Sequence, residues 1–202
     1  MIRSTLASFL CMAIAASAAP APTAPAPKVR PAPNFVIKLP NASGQITPAQ
    51  YKGKVVVVAM ILTTCPHCQN ATVMLSRLQK EYGPRGLQIL AAAFNPDAER
   101  AVPDFIRTYK PTFPVGYAGR NEVLTFLGQS PDFEMYVPIM SFIDRKGMIR
   151  YSHLGDDKFF ADPERGVRAH IEELLGKPAV VKKAAPAVTK NEGPKIVLTP
   201  EK

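Results

Sequence analysis

The chain has 202 residues, no tryptophan, and three cysteines, Cys11, Cys65 and Cys68. So few cysteines exclude a structural disulfide framework, which needs several paired partners. The three histidines are His67, His153 and His170, and with so few thiols a four-ligand structural zinc site has little to draw on. No apolar run reaches the ~18 residues of a membrane-spanning helix. Negative charge is also in short supply, giving a net charge of +9. That surplus points away from nucleic acid once it is located. Residues 41–175 carry 15 Lys/Arg and 14 Asp/Glu, so they are nearly balanced. Most of the excess lies in the two flanks, where it does not form a basic patch on a folded surface.

Both flanks are rich in Pro, Ala and Lys. APAPTAPAPKVRPAP precedes the central part and GKPAVVKKAAPAVTKNEGPKIVLTPEK follows it. Such compositions bury too little apolar surface to offset ordering entropy, so residues 19–33 are expected to be a linker and 177–202 a disordered basic tail. Before the linker, MIRS carries one positive charge and TLASFLCMAIAA supplies a short apolar run. Ala16-Ser17-Ala18 then fits a small-x-small cleavage site. Residues 1–18 are therefore expected to be a signal peptide cleaved near Ala18, which places the mature chain in the periplasm or on the outer face of a bacterial envelope. An uncleaved anchor is the rival reading. Leu10 before Cys11 argues against a lipidation site. Cleavage removes Cys11 and leaves one close pair, Cys65 and Cys68.

Residues 34–176 read as one domain. A strand is expected at 35–39, a turn at 41–44 and a short return at 45–51. VVVVAMIL at 55–62 is an unbroken β-branched run, the pattern of a strand buried on both faces. Met74, Leu75, Leu78 and Tyr82 recur at helical spacing, so a helix is expected over 66–82, ended by Gly83-Pro84 and Gly86. A second buried strand follows at 87–94, then a helix over 98–109 with Val102, Phe105 and Ile106 inward. A short strand at 113–117, a short helix at 120–127 and a loop at 128–136 come next. Strands at 139–144 and 148–153 form a hairpin around Arg145-Lys146-Gly147. A last amphipathic helix spans 163–175, with Val167, Ile171, Leu174 and Leu175 on one face. This order implies an α/β fold, a mixed central sheet with helices on both faces.

The pair lies in TTCPHCQ, where a buried strand ends and a helix begins. Sites in open α/β sheets favour that edge. Cys65 would cap the helix, and Pro66 would be its first residue, where a missing N–H costs nothing. Free N–H groups and the positive helix end favour a thiolate at Cys65. Cys68, one turn on and more buried, is placed to attack a disulfide formed at Cys65. His67 between them would further stabilise the Cys65 thiolate, and a stabilised thiolate makes the disulfide more oxidising. A c-type haem site needs His directly after the second Cys, where Gln69 stands. A copper site would have to recruit His153, and nothing in the spacing brings it near.

These residues resemble the thioredoxin fold, and more narrowly the TlpA/ResA-like redoxins of the bacterial envelope. The likeness covers about residues 33–175. APNFVIKLPNASGQITPAQYKGKVVVVAMILTTCPHC resembles the family opening, an N-terminal strand extension before the motif. FNPDAERAVPDFIRTYKPTFPVGY resembles its central β-α insertion, and YVPIMSFIDRKGMIRYSHLG its closing hairpin. The C-P-H-C sequence itself is similar to that of DsbA, a strong oxidant with a very low-pKa cysteine. The resemblance implies that Val137-Pro138 is a cis-proline step facing the cysteines and binding an extended substrate segment. It also places an acid/base residue at Asp97, for which capping of the next helix is the competing reading.

Two departures stand out. Ala59 replaces the buried acid of thioredoxins, and MILTT replaces a Trp-rich approach to the motif. The implied activity is thiol–disulfide exchange with protein dithiols and disulfides and with a membrane redox partner. It needs no cofactor beyond the Cys65–Cys68 disulfide and no metal. The alternatives are a peroxiredoxin-like antioxidant enzyme, against which Leu62 replaces an expected Thr, and a copper-binding redox chaperone.

Overall fold

The computed structural model describes residues 29–40 and 44–176. The expected signal peptide, most of the linker, the 41–43 part of the turn and the basic tail lie outside these residues. Eight strands form one sheet: β1 Arg30–Pro31, β2 Ile37–Lys38, β3 Gln45–Ile46, β4 Val55–Ile61, β5 Leu87–Ala93, β6 Val115–Tyr117, β7 Ile139–Ile143 and β8 Met148–His153. Among the described residues four α-helices accompany them: α1 Pro66–Tyr82, α2 Ala98–Tyr109, α3 Arg120–Leu127 and α4 Pro163–Leu175. The strand order is β1-β8-β7-β4-β5-β6-β2-β3. β4, β5 and β6 are mutually parallel, and the remaining neighbours are antiparallel.

The unbroken run of β4 divides by parity, because successive side chains leave opposite faces of a strand. Val55, Val57, Ala59 and Ile61 join one core with α1, α2 and α4. Val56, Val58 and Met60 join the other with α3, Phe35 and Ile37. All seven residues of β4 are buried. Each large aliphatic among them contributes roughly 1.5–3 kcal/mol by leaving water.

The structure departs from the sequence expectation at strand ends. The sheet begins inside the expected linker, because Arg30 and Pro31 pair with Ile149 and Met148. The Arg30 guanidinium donates to the Phe126 carbonyl at 2.7 Å and fixes this segment over the end of α3. The strand expected at 35–39 pairs only at Ile37–Lys38. The one expected at 113–117 starts at Val115, since Pro114 has no N–H to donate and contributes only its carbonyl, to Ala91 N–H. Gly116 allows β2 to approach, because a Cβ there would run into the Lys38 carbonyl.

Register sets up the site. β4 and β5 run in parallel with Ile61 beside Ala93. β7 runs the other way, with Ile139 opposite Met60. The segments after β4 and β5 and the one before β7 therefore meet at a single edge of the sheet.

Candidate active site

Cys65 occupies the N-cap of α1 in extended conformation (φ −83°, ψ 120°), and Pro66 is the first helical residue. The Cys65 carbonyl starts the helix by accepting Gln69 N–H at 3.0 Å. No backbone donor is captured by its side chain, so the sulfur stays available at the end where helix N–H groups are unpaired. Cys65 is partly exposed, whereas Cys68 is 0 % exposed. The approach to the motif is clamped from both sides. Thr63 N–H donates to Asn95 Oδ1 at 3.1 Å, and its carbonyl accepts from Gln69 Nε2 at 3.0 Å. Gln69, which argued against haem, thus holds the strand-to-helix turn. The Thr63 hydroxyl is buried with no hydrogen-bond partner among the described residues.

The two thiols differ in environment. Burial pushes Cys68 well above an ordinary thiol. A backbone hydrogen bond from Leu62 opposes this, and the Cys65 side chain, within hydrogen-bonding reach, adds to the rise. Burial thus favours the protonated thiol at Cys68. No carboxylate is among the groups acting on Cys68. Ala59 sits in the buried strand, paired with Ala91 and Met140.

Asp97 does not fill the gap. It is exposed, and its carboxylate accepts from Asn95 Nδ2 at 2.6 Å. That bond holds it below the usual carboxylate range. Nor does its side chain cap α2, although it stands at the N-cap. The expectation of a capping carboxylate is corrected, while Asp97 shares a groove with Leu62 and Thr64 beside the motif. Asn95, one bond away from the motif, is the residue of that loop that reaches it.

The Val137–Pro138 peptide bond is cis. Pro138 is buried, and Val137 packs against both cores. Behind it, Gly155 N–H donates to the Tyr136 carbonyl at 2.9 Å. A Cβ on Gly155 would meet the Tyr136 and Val137 backbone at about 2.6 Å, so only glycine fits. The sequence reading passed over Gly155; its only signal was its place at the close of the hairpin motif.

Two grooves border the motif on either side of Cys65 in sequence, one reaching His67 and the other Leu62 and Thr64. One, of about 450 Å³, has Ala71, Met74, Val137 and Pro138 in its lining and His67 at its margin. The other borders Leu62, Thr64 and the Asn95–Asp97 loop. His67 is exposed. His153, the residue a copper site would have needed, is bound instead to Asp157 and His170. Among the described residues, no group of three or more His, Cys, Asp or Glu side chains could hold a metal ion.

The fold and this edge define a class. The redoxin family model matches residues 27–166, and the chain belongs to that family. Solved structures share the thioredoxin-like fold at low identity. A thiol:disulfide interchange protein of the thioredoxin family from Chlorobium tepidum TLS superposes with TM-score 0.60 and 22% identity, over 77% of this chain and 100% of its own. The thioredoxin domain of a thiol-disulfide oxidoreductase from Bacteroides vulgatus gives 0.56 and 17%, over 71% and 96%. A thiol:disulfide interchange protein from Bacteroides sp. gives 0.52 and 19%, over 68% and 88%. A comparison with curated proteins found no match.

Proposed function

We propose that this redoxin is an exported thiol–disulfide oxidoreductase of the TlpA/ResA type, acting on protein substrates in the bacterial envelope. One observation carries the reading: an accessible sulfur at a helix N-terminus, with a fully buried partner thiol in reach and a cis-proline segment at the same sheet edge.

Cys65 attacks as thiolate. A bond forms between its sulfur and one sulfur of a substrate disulfide, the substrate S–S bond breaks, and the other substrate sulfur leaves as thiolate. Cys68 then attacks the Cys65 sulfur, and its proton passes to solvent or to the departing substrate thiolate. The Cys65–Cys68 bond forms as the Cys65–substrate bond breaks, and the substrate, protonated at both sulfurs, leaves as a dithiol with two electrons gained. The reverse sequence oxidises a substrate dithiol. The Val137 backbone pairs with the substrate segment beside Cys65, and His67 tunes the potential. Relative potentials set the direction, and a membrane redox partner resets the pair.

Trapping tests the assignment. Cys68→Ala should accumulate a mixed disulfide at Cys65 with protein disulfides, and Cys65→Ala should not. Failure of Cys68→Ala to trap any partner would overturn it. Equilibration of the wild-type pair in glutathione buffers gives the direction, and a potential near that of thioredoxin would exclude an oxidant.

A further inference from the structure

Nothing in the sequence supplies the tryptophan that would present an aromatic surface before the motif. The structure puts a different aromatic there. Tyr136, two residues before the cis-proline, is 51 % exposed and is the one exposed Phe or Tyr among the described residues. Its backbone is fixed from behind by Gly155, and both Gly155 and the next residue, Val137, line the groove.

That groove has an apolar floor and an acidic setting. Ala71, Met74, Phe160 and Pro163 supply the floor, and Asp162 and Glu164 lie on its wall. Glu134 and Asp156 act on the Tyr136 phenol and are therefore close to it. The two segments that build this side, residues 129–136 and 154–164, hold six acids and one lysine, although residues 41–175 as a whole are nearly neutral. Two of the acids are matched internally. Glu164 pairs with Arg77 and Arg168, and Asp157 with His153. Of the other four, Asp162 caps α4 by accepting Arg165 N–H at 3.3 Å, and Asp132, Glu134 and Asp156 form no ion pair among the described residues; all four are exposed.

We propose that the groove under Tyr136 docks an extended, cationic segment of a partner protein, in which Lys or Arg residues flank the target cysteine. An apolar side chain beside that cysteine enters the Ala71–Met74–Phe160 floor. Tyr136 covers it, and Glu134, Asp156 and Asp162 meet the flanking cations. Such complementarity mainly raises the rate of encounter and the discrimination between partners. The inference rests on the exchange reaction proposed for Cys65 and names its substrate class.

The test uses the reduced wild-type chain and cysteine peptides presented as mixed disulfides with an aromatic thiol, flanked by Lys/Arg or by Glu. Hydroxyethyl disulfide serves as a small neutral substrate. At low ionic strength the cationic peptide should give a kcat/KM roughly tenfold above the acidic one, and the gap should close with added salt. Combined Glu134→Gln, Asp156→Asn and Asp162→Asn changes should bring the ratio towards one. Tyr136→Ala should lower peptide rates several-fold relative to hydroxyethyl disulfide. Equal rates for the two peptides, or a preference that survives neutralising the three acids, would overturn the docking surface while leaving exchange at Cys65 intact. No reaction even with hydroxyethyl disulfide would overturn the exchange reading, and this inference with it.

Discussion

Cys65 and Cys68 lie one turn apart at the start of a single helix. His153 and His170 come from β8 and α4, yet their Nε2 atoms sit 2.9 Å apart. The histidine pair is set inside an aromatic stack. Tyr151 lies over His170 at 3.8 Å between ring centres, Phe159 over His153 at 3.9 Å, and Phe142 meets both rings edge-on. Asp157 takes the Nδ1 side of His153 at 2.7 Å. With His153 neutral, its Nδ1–H donates to Asp157, so its Nε2 accepts and His170 Nε2–H donates. Every polar atom of the His153 ring is thus consumed by structure. At the cysteines the same fold leaves one sulfur open and gives its partner no carboxylate to lean on. The difference separates a packing device from a reactive one, although both gather titratable groups against the sheet.

The contrast breaks most sharply at the thiols. Cys65→Ala should lower exchange with protein disulfides by on the order of 10³-fold or more, read as loss of turnover. Its folding stability should change little, because the residue is only partly buried. Gly155→Ala comes next. Its new methyl has only backbone to displace, so a loss of about 2–3 kcal/mol is expected, read from the denaturant midpoint.

The histidine pair should instead govern acid stability. Burial and the neighbouring His153 pull His170 down to about 4 from an ordinary 6.5. Below 6.5 the unfolded chain binds a proton that the folded one resists, so stability falls as pH drops through that window and levels off below about 4. Glu173, bonded to Tyr151, partly counters the shift. His170→Phe should flatten this limb in denaturation curves taken across the window. A curve that keeps its slope would mean that His170 does not titrate as placed. The smallest effect belongs to Thr63. Its hydroxyl has no partner, so Thr63→Val should be neutral or stabilise by up to ~1 kcal/mol in the same assay.

The comparison also marks what a sequence can show. The helix over 66–82 and the buried strand before it were legible because their signals are contiguous: a β-branched run, a cap, a proline and a helical apolar period. The cysteine pair was legible for the same reason. The clamp on Thr63 was not, because Asn95 belongs to a loop after another strand and nothing in a turn sequence says which way an amide points. The imidazole pair was hidden likewise, its members 17 positions apart. Strand ends were misjudged where pairing depends on a neighbour. Arg30 and Pro31 look like linker until β8 is beside them, and Phe113-Pro114 reads as strand until the missing N–H is counted. Asp97 was assigned from resemblance, and its own neighbour Asn95 took the carboxylate.

The sheet has a further consequence for how this chain keeps its own company. VVVVAMI, seven residues of high β-propensity without a charge or proline, is the kind of segment that recruits other chains when it is left open. Here it lies between β5 and β7, paired along both sides. Among the described residues the sheet ends at β1 and β3, two residues each, one of them containing Pro31. β1 covers only Met148 and Ile149 of β8, and the short outer edge beyond it carries Arg150, a charge that discourages an incoming strand. Folding thus places the most adhesive stretch of the chain at the centre of the sheet, with a neighbour hydrogen-bonded along each side.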